Sequence, residues 1–169
     1  MNGDGQGFHG KYQGVVTDNK DPDKTGRIRA KVPDVFGDGE SGWALPSAPY
    51  GGSRTGFFAV PPTGTAVWIE FQHGDPEYPV WSGCFWARGE LPAALLASPS
   101  EQVMIVTGGG NNTITLSDVS GKEGITLENG QGAKIAITAN GIEIDNGKGA
   151  SIKLSGTTVS VNGGALEVT

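Results

Sequence analysis

From Glu101 to Thr169 the chain contains no Phe, Trp, Tyr, Pro, Cys, His or Arg. Short segments of Ile, Leu and Val without aromatic rings cannot easily fill a monomeric globular core. Other absences narrow the function. A single cysteine in 169 residues excludes an intrachain disulfide, so nothing depends on an oxidising compartment. Lys and Arg number 12 against 18 Asp and Glu, for a net charge of −6. This argues against a nucleic-acid groove, which needs clustered cations on the phosphates. No run approaches the ~18 apolar residues of a membrane helix. Met1 to Gly10 is glycine-rich and polar, with no basic segment leading into an apolar one. The expectation is a protein made in the cytoplasm without a signal peptide. Hydrophobic content is only 36%, and 29 residues are glycine. Such a chain is expected to bury part of its surface against other subunits.

What the last third does contain is a ladder. Ile114/Leu116, Ile125/Leu127, Ile135/Ile137, Ile142/Ile144, Ile152/Leu154, Val159/Val161 and Leu166/Val168 are each spaced i, i+2. Gly, Asn, Ser, Thr, Lys and Glu fill most places between. Successive pairs start 11, 10, 7, 10, 7 and 7 residues apart. A period of two predicts short strands with one buried face. The repetition predicts growth by stacking along an axis. A narrow fibre that shares its core among identical chains satisfies both, and three chains would place six aliphatic side chains in each layer. At about 0.8 kcal/mol per buried CH₂ such layers carry much of an assembly's stability. Glycines at 121, 124, 130, 132, 141, 147, 149, 156 and 163 are expected to supply positive φ at corners.

The first zone differs. All aromatic residues lie between Phe8 and Trp86, and all ten prolines between Pro22 and Pro99. Strands are expected near Tyr12–Thr17, Arg27–Val32, Trp43–Ser47, Ala66–Phe71 and Val80–Phe85. The turns between them are DPDKTG from Asp21, FGDGESG from Phe36, PPTG from Pro61 and HGDP from His73. Five short strands suit a small closed barrel of the OB type better than a seven-stranded sandwich. The expected organisation is a flexible N-terminus (1–9), a barrel (10–88), a linker (89–100) with a helical turn over Glu90–Ala97, and the ladder (101–169). The fold class is all-β.

Candidate chemistry is sparse. Asp21-x-Asp23-x-Thr25-Gly26 mimics the start of a calcium loop, but its twelfth position is Val32 rather than a bidentate Glu. The expected reading is a turn held by Asx hydrogen bonds. His73 is expected to cap a turn beside Asp75, with only His9 as a second imidazole. Cys84 is expected as a small core residue. Gly108-Gly-Gly-Asn-Asn lacks the Gly-Lys-Ser/Thr ending of a phosphate loop. No catalytic, cofactor or metal residue is assigned.

Several segments together resemble a known family. They are Gly14–Pro33 (GVVTDNKDPDKTGRIRAKVP), Ser41–Ala44 (SGWA), Ala48–Gly52 (APYGG), Gly56–Gly64 (GFFAVPPTG) and, most specific, Val67–Gly83 (VWIEFQHGDPEYPVWSG). Over roughly residues 10–88 they are similar to the OB domain of the central spike proteins of contractile injection systems. These include phage baseplate assembly protein V and type VI-like spikes. The ladder looks like the trimeric β-helix or β-prism that follows there. The resemblance implies a non-enzymatic homotrimeric needle, assembled into a phage virion or phage-tail-like particle, that helps pierce a target envelope. It implies a baseplate hub protein at the barrel and a PAAR-type tip protein at Leu166, Val168 and Thr169. Neither a lysozyme domain nor the His-x-His iron site of some relatives fits this sequence. The competing expectation is an OB carbohydrate-binding module with a fibrous tail, stacking sugars on Trp43, Tyr50, Trp68, Trp81 or Trp86. An acyltransferase of the left-handed β-helix type lacks its six-residue period and catalytic His.

Overall fold

The computed structural model describes residues 7–168 except 93, 94 and 97; it divides into two units, Met1–Glu90 and Leu91–Thr169. Part of the expected helical turn and Thr169 lie outside the described residues, as do residues 1–6. The chain is nearly all β.

In the first unit, β1 (Tyr12–Asp18), β2 (Arg29–Lys31), β3 (Leu45–Pro46), β6 (Ala66–Phe71) and β7 (Pro79–Cys84) form one curled sheet in the order β2-β1-β6-β7-β3. β3 runs parallel to β7, and the other neighbours are antiparallel. An antiparallel bridge between Ile28 and Ala44 links the two edges of the sheet. That strand order, with its one parallel pair, is the OB arrangement. β4 (Gly51–Gly52) and β5 (Thr55–Gly56) make a small hairpin between β3 and β6.

β2 and β3 are shorter than the sequence suggests, for local reasons. Val32 caps a four-residue helix, α1 (Pro33–Phe36), whose first residue has no N–H to give a strand. In β3, Pro46 has no N–H to add to the ladder, although the next residue, Ser47, still donates to the Trp81 carbonyl at 2.9 Å. The inward residues Ile28, Ala30, Val32, Ala44, Val67 and Ile69 are fully buried, with Val16, Phe71 and Trp81 beside them. Trp81 satisfies its indole N–H by donating to the Gly26 carbonyl at 3.2 Å.

The barrel also takes in part of the segment expected to be flexible. Phe8 packs on this core, its ring edge-on to Tyr12 and Phe71 at centroid distances of 6.0 and 6.1 Å. The Phe8 amide donates to the Gly74 carbonyl at 2.8 Å. An aromatic ring offered to an open barrel end buries its area wherever the chain can reach it, and composition alone hides that.

In the second unit, eight strands form one antiparallel meander, each paired with its sequence neighbours. They are β8 (Gln102–Val106), β9 (Thr113–Ser117), β10 (Gly124–Glu128), β11 (Lys134–Thr138), β12 (Gly141–Asp145), β13 (Ser151–Ser155), β14 (Thr158–Val161) and β15 (Leu166–Val168). β8 has no counterpart in the expected ladder. Its Val103-Met-Ile-Val run is apolar at every position, so the period of two does not show.

Candidate trimer interface

Directly paired residues of an antiparallel sheet share a face, so the register fixes where each aliphatic residue stands. One column runs Val103, Leu116, Ile125, Ile137, Ile142, Leu154, Val159, Val168. The other runs Ile105, Ile114, Leu127, Ile135, Ile144, Ile152, Val161, Leu166. Every pair of the ladder therefore falls on a single face, in two adjacent columns. Val103 and Ile105 extend them by a rung that the sequence pattern missed.

In the single chain this face is bare. Val161 is half-buried, and fourteen other side chains of the face are exposed by 38% at Ile142 and Val159 up to 65% at Val103. Eight strands of continuous Ile, Leu and Val far exceed the patch a soluble monomer usually shows.

The opposite face is polar and self-satisfied. Glu143 receives Lys134 at 3.1 Å and Lys153 at 3.8 Å, and Glu143 stands directly opposite Lys153. Among the described residues of this unit, Ala136 is the buried hydrophobic one. At one edge, Asn129 accepts from the Gln131 and Ala133 amides through Oδ1, both at 3.0 Å. Asn146 does the same for Lys148 and Ala150 at 2.9 and 3.0 Å. At the other edge Glu123 accepts from the Gly121 amide at 2.9 Å, and hydrogen bonds from its own and the Gly121 N–H lower its carboxyl pKa. Of the corner glycines, Gly130 does not take the expected positive φ. It is required by crowding instead, because a Cβ there would run into the Gly110 carbonyl of the adjacent loop.

The barrel's candidate chemistry resolves into structure. Asp21 accepts from the Asp23 and Thr25 amides at 3.0 and 2.7 Å and from the Thr25 hydroxyl at 2.8 Å. Arg27 donates to it through Nε at 3.0 Å and Nη2 at 2.6 Å. The guanidinium holds the Asp21 carboxyl far below the usual carboxylate range. Both oxygens are thus occupied by the turn itself, which is the Asx reading. The turn around His73 is closed by the Asp75 amide, which donates to the Gln72 carbonyl at 3.0 Å, and Asp75 Oδ1 accepts from the Glu77 amide at 3.0 Å. His73 stands exposed with φ of 54° and caps nothing among the described residues, contrary to expectation. Cys84 is exposed at the end of β7 rather than in the core, and the burial it retains raises its thiol pKa. No three His, Cys, Asp or Glu side chains gather to hold a metal among the described residues.

The rings named for sugar stacking are mostly engaged. Trp81 is in the core, Trp68 lies 4.7 Å from Phe85 between centroids, and Trp43 sits 5.8 and 6.0 Å from the Arg27 and Arg29 guanidinium carbons. Tyr50 and Trp86 are exposed, at 63% and 65%.

Comparison with known proteins agrees with both units. Residues 12–86 match the family model of the type VI secretion system/phage-baseplate injector OB domain. Residues 102–167 match that of the phage baseplate V C-terminal trimerisation domain. Among curated relatives, the actin cross-linking toxin VgrG1 of Vibrio cholerae serotype O1 is 32% identical over 113 residues, 62% of this chain and 10% of that protein. The type VI secretion system spike protein VgrG5 of Pseudomonas aeruginosa is 31% identical over 93 residues, 52% of this chain and 12% of that protein. Spike protein VgrG4b of the same organism is 30% identical over 112 residues, 61% of this chain and 14% of that protein. The chain thus spans about a tenth to a seventh of these relatives' length. With an injector OB domain followed by a baseplate trimerisation domain, the chain belongs to the phage baseplate V and type VI spike family of contractile injection systems.

Proposed function

We propose that the protein is a structural, non-enzymatic central spike: three chains joined through the C-terminal sheet into a stiff needle at the centre of a baseplate. The observation that carries this is the pair of aliphatic columns, eight strands long and confined to one face. Three such sheets, their apolar faces turned inward as walls of a prism, would close a dry axis and leave the Lys134–Glu143–Lys153 face wet. Backbone bonds run within each wall, side-chain burial joins the walls, and stiffness is the output. The trimer core comprises Ile114, Leu116, Ile125, Leu127, Ile135, Ile137, Ile142, Ile144, Ile152, Leu154, Val159, Val161, Leu166 and Val168, with Val103 and Ile105 added.

In this reading the barrel docks on a baseplate hub, and the last strand receives a tip protein of the PAAR type. Among the described residues β15 pairs with β14 alone, and Leu166 is 60% exposed. An edge strand beside an apolar layer is a template for a partner. The needle then meets a target membrane only on firing. Multi-angle light scattering should give a mass near three times 17.4 kDa, and a monomer at micromolar concentration would overturn the proposal. For the tip, a chain ending at Gly149 should still reach the baseplate but lose the tip protein in a pull-down.

A further inference from the structure

The C-terminal sheet contains the same two-strand unit twice in succession. Asn129-Gly-Gln-Gly-Ala133 is followed 17 residues on by Asn146-Gly-Lys-Gly-Ala150. The two loops share one hydrogen-bond frame, although Gly147 has a positive φ where Gly130 does not. In each, the Asn amide donates to the Ala carbonyl at 3.0 Å, and Oδ1 accepts from the residues two and four further on within 0.1 Å of the same distances. The strand starts correspond as well. Gly124 and Gly141, again 17 residues apart, have φ of 140° and 123°. At each, a Cβ would strike a partner-strand carbonyl, that of Ile137 or of Leu154, and these two residues share the same spacing. The pairings also correspond. Ile125 faces Ile137 and Leu127 faces Ile135 as Ile142 faces Leu154 and Ile144 faces Ile152.

We infer that residues 129–145 form an interchangeable cassette, and that the number of such cassettes sets the reach of the spike. The cassette contains a loop, β11, a tight turn and β12. An even number of strands returns the chain to the same edge, direction and side-chain face. Removing it joins Glu128 to Asn146, restoring an Asn-Gly-x-Gly-Ala loop after an acidic residue. β10 then meets β13 with Ile125 opposite Leu154 and Leu127 opposite Ile152, which keeps both columns unbroken. Each cassette adds two strand spacings, about 9.5 Å. On the polar face the exchange costs one partly exposed ion pair, because Thr126 would replace Glu143 as the residue opposite Lys153.

This inference rests on the trimeric-spike reading, and the test separates the two. The parent, a deletion of residues 129–145 and a tandem duplication of the same residues are purified and compared. Light scattering gives mass, and electron microscopy or small-angle scattering gives length. The duplication is decisive, because it removes no native contact. It should remain trimeric and lengthen by about 9.5 Å, while the deletion shortens by the same step and melts earlier. A duplicated protein that aggregates, or whose length does not change, overturns the cassette. A parent that is monomeric overturns the spike reading instead, whatever the two variants do.

Discussion

The barrel and the C-terminal sheet are both β structures of short, mostly antiparallel strands, yet they solve burial in opposite ways. The barrel curls until its edges meet at Ile28 and Ala44, so its inward residues lose water within one chain. The sheet keeps sixteen aliphatic register positions on a single face, and among those whose side chains are described none is buried, whereas Ala136 on the other side is 9% exposed. The difference follows from side-chain size. Trp81, Phe71, Phe36 and Tyr12 fill and cap a closed interior, whereas Ile, Leu and Val in two columns are too few to fill one. A sheet of that kind has to find its second layer in another chain.

The comparison can be broken most forcefully at Ile135. Substituting Asp puts a carboxylate on the shared apolar face once per chain, and burying an unpaired charge costs several kcal/mol per ion. Ile135→Asp should abolish the trimer at micromolar concentration while the barrel's near-ultraviolet circular dichroism persists. A trimeric variant would mean that the columns face water.

The reciprocal change is Ile69→Ala, in the barrel core. Loss of a fully buried Ile costs about 2–5 kcal/mol, and it should appear in the aromatic-monitored unfolding transition alone. If the trimer mass fell too, the two regions would not be independent.

A subtler difference is pH dependence. Asp21 is the carboxylate most strongly held in the barrel, so its folded pKa lies below its unfolded value near 3.9. Its contribution is therefore present above that value and lost as pH falls below it. Asp21→Asn should lower the barrel's melting temperature at pH 7, and the gap to the parent should narrow below pH ~4. A gap independent of pH would remove the Arg27 pairing as its cause.

The smallest effect is expected at Lys134. Its ion pair with Glu143 is partly exposed, so Lys134→Ala should cost less than about 1 kcal/mol. Asp is a different matter. Lys134 looks outward and replaceable in the sequence, but the register places it opposite both Glu128 and Asp145. Lys134→Asp lines up three acids, and its melting temperature should fall below that of the Ala variant. Equal melting temperatures would show that these cross-strand charges are too well solvated to interact.

By itself the sequence determined what is local. The i, i+2 spacing settled which residues of each rung share a face, since alternation is a property of the extended chain. The confinement of aromatic residues to Phe8–Trp86 separated a region able to close its own core from one unable to. The Asx turn at Asp21 was also legible, because its donors lie within six residues of it. Only the tertiary structure decided what depends on distant partners. The placing of β3 beside β7, and the bridge from Ile28 to Ala44, join segments whose nearness no local period encodes. β8 stayed hidden because Val103–Val106 is apolar throughout, and only pairing with β9 shows which two residues continue the columns. Phe8, His73 and Cys84 were misplaced for the same reason: burial is set by what packs against a residue. Alternation makes a strand two-faced, but register aligns those faces into one surface, and register is fixed by hydrogen bonds between strands rather than within them.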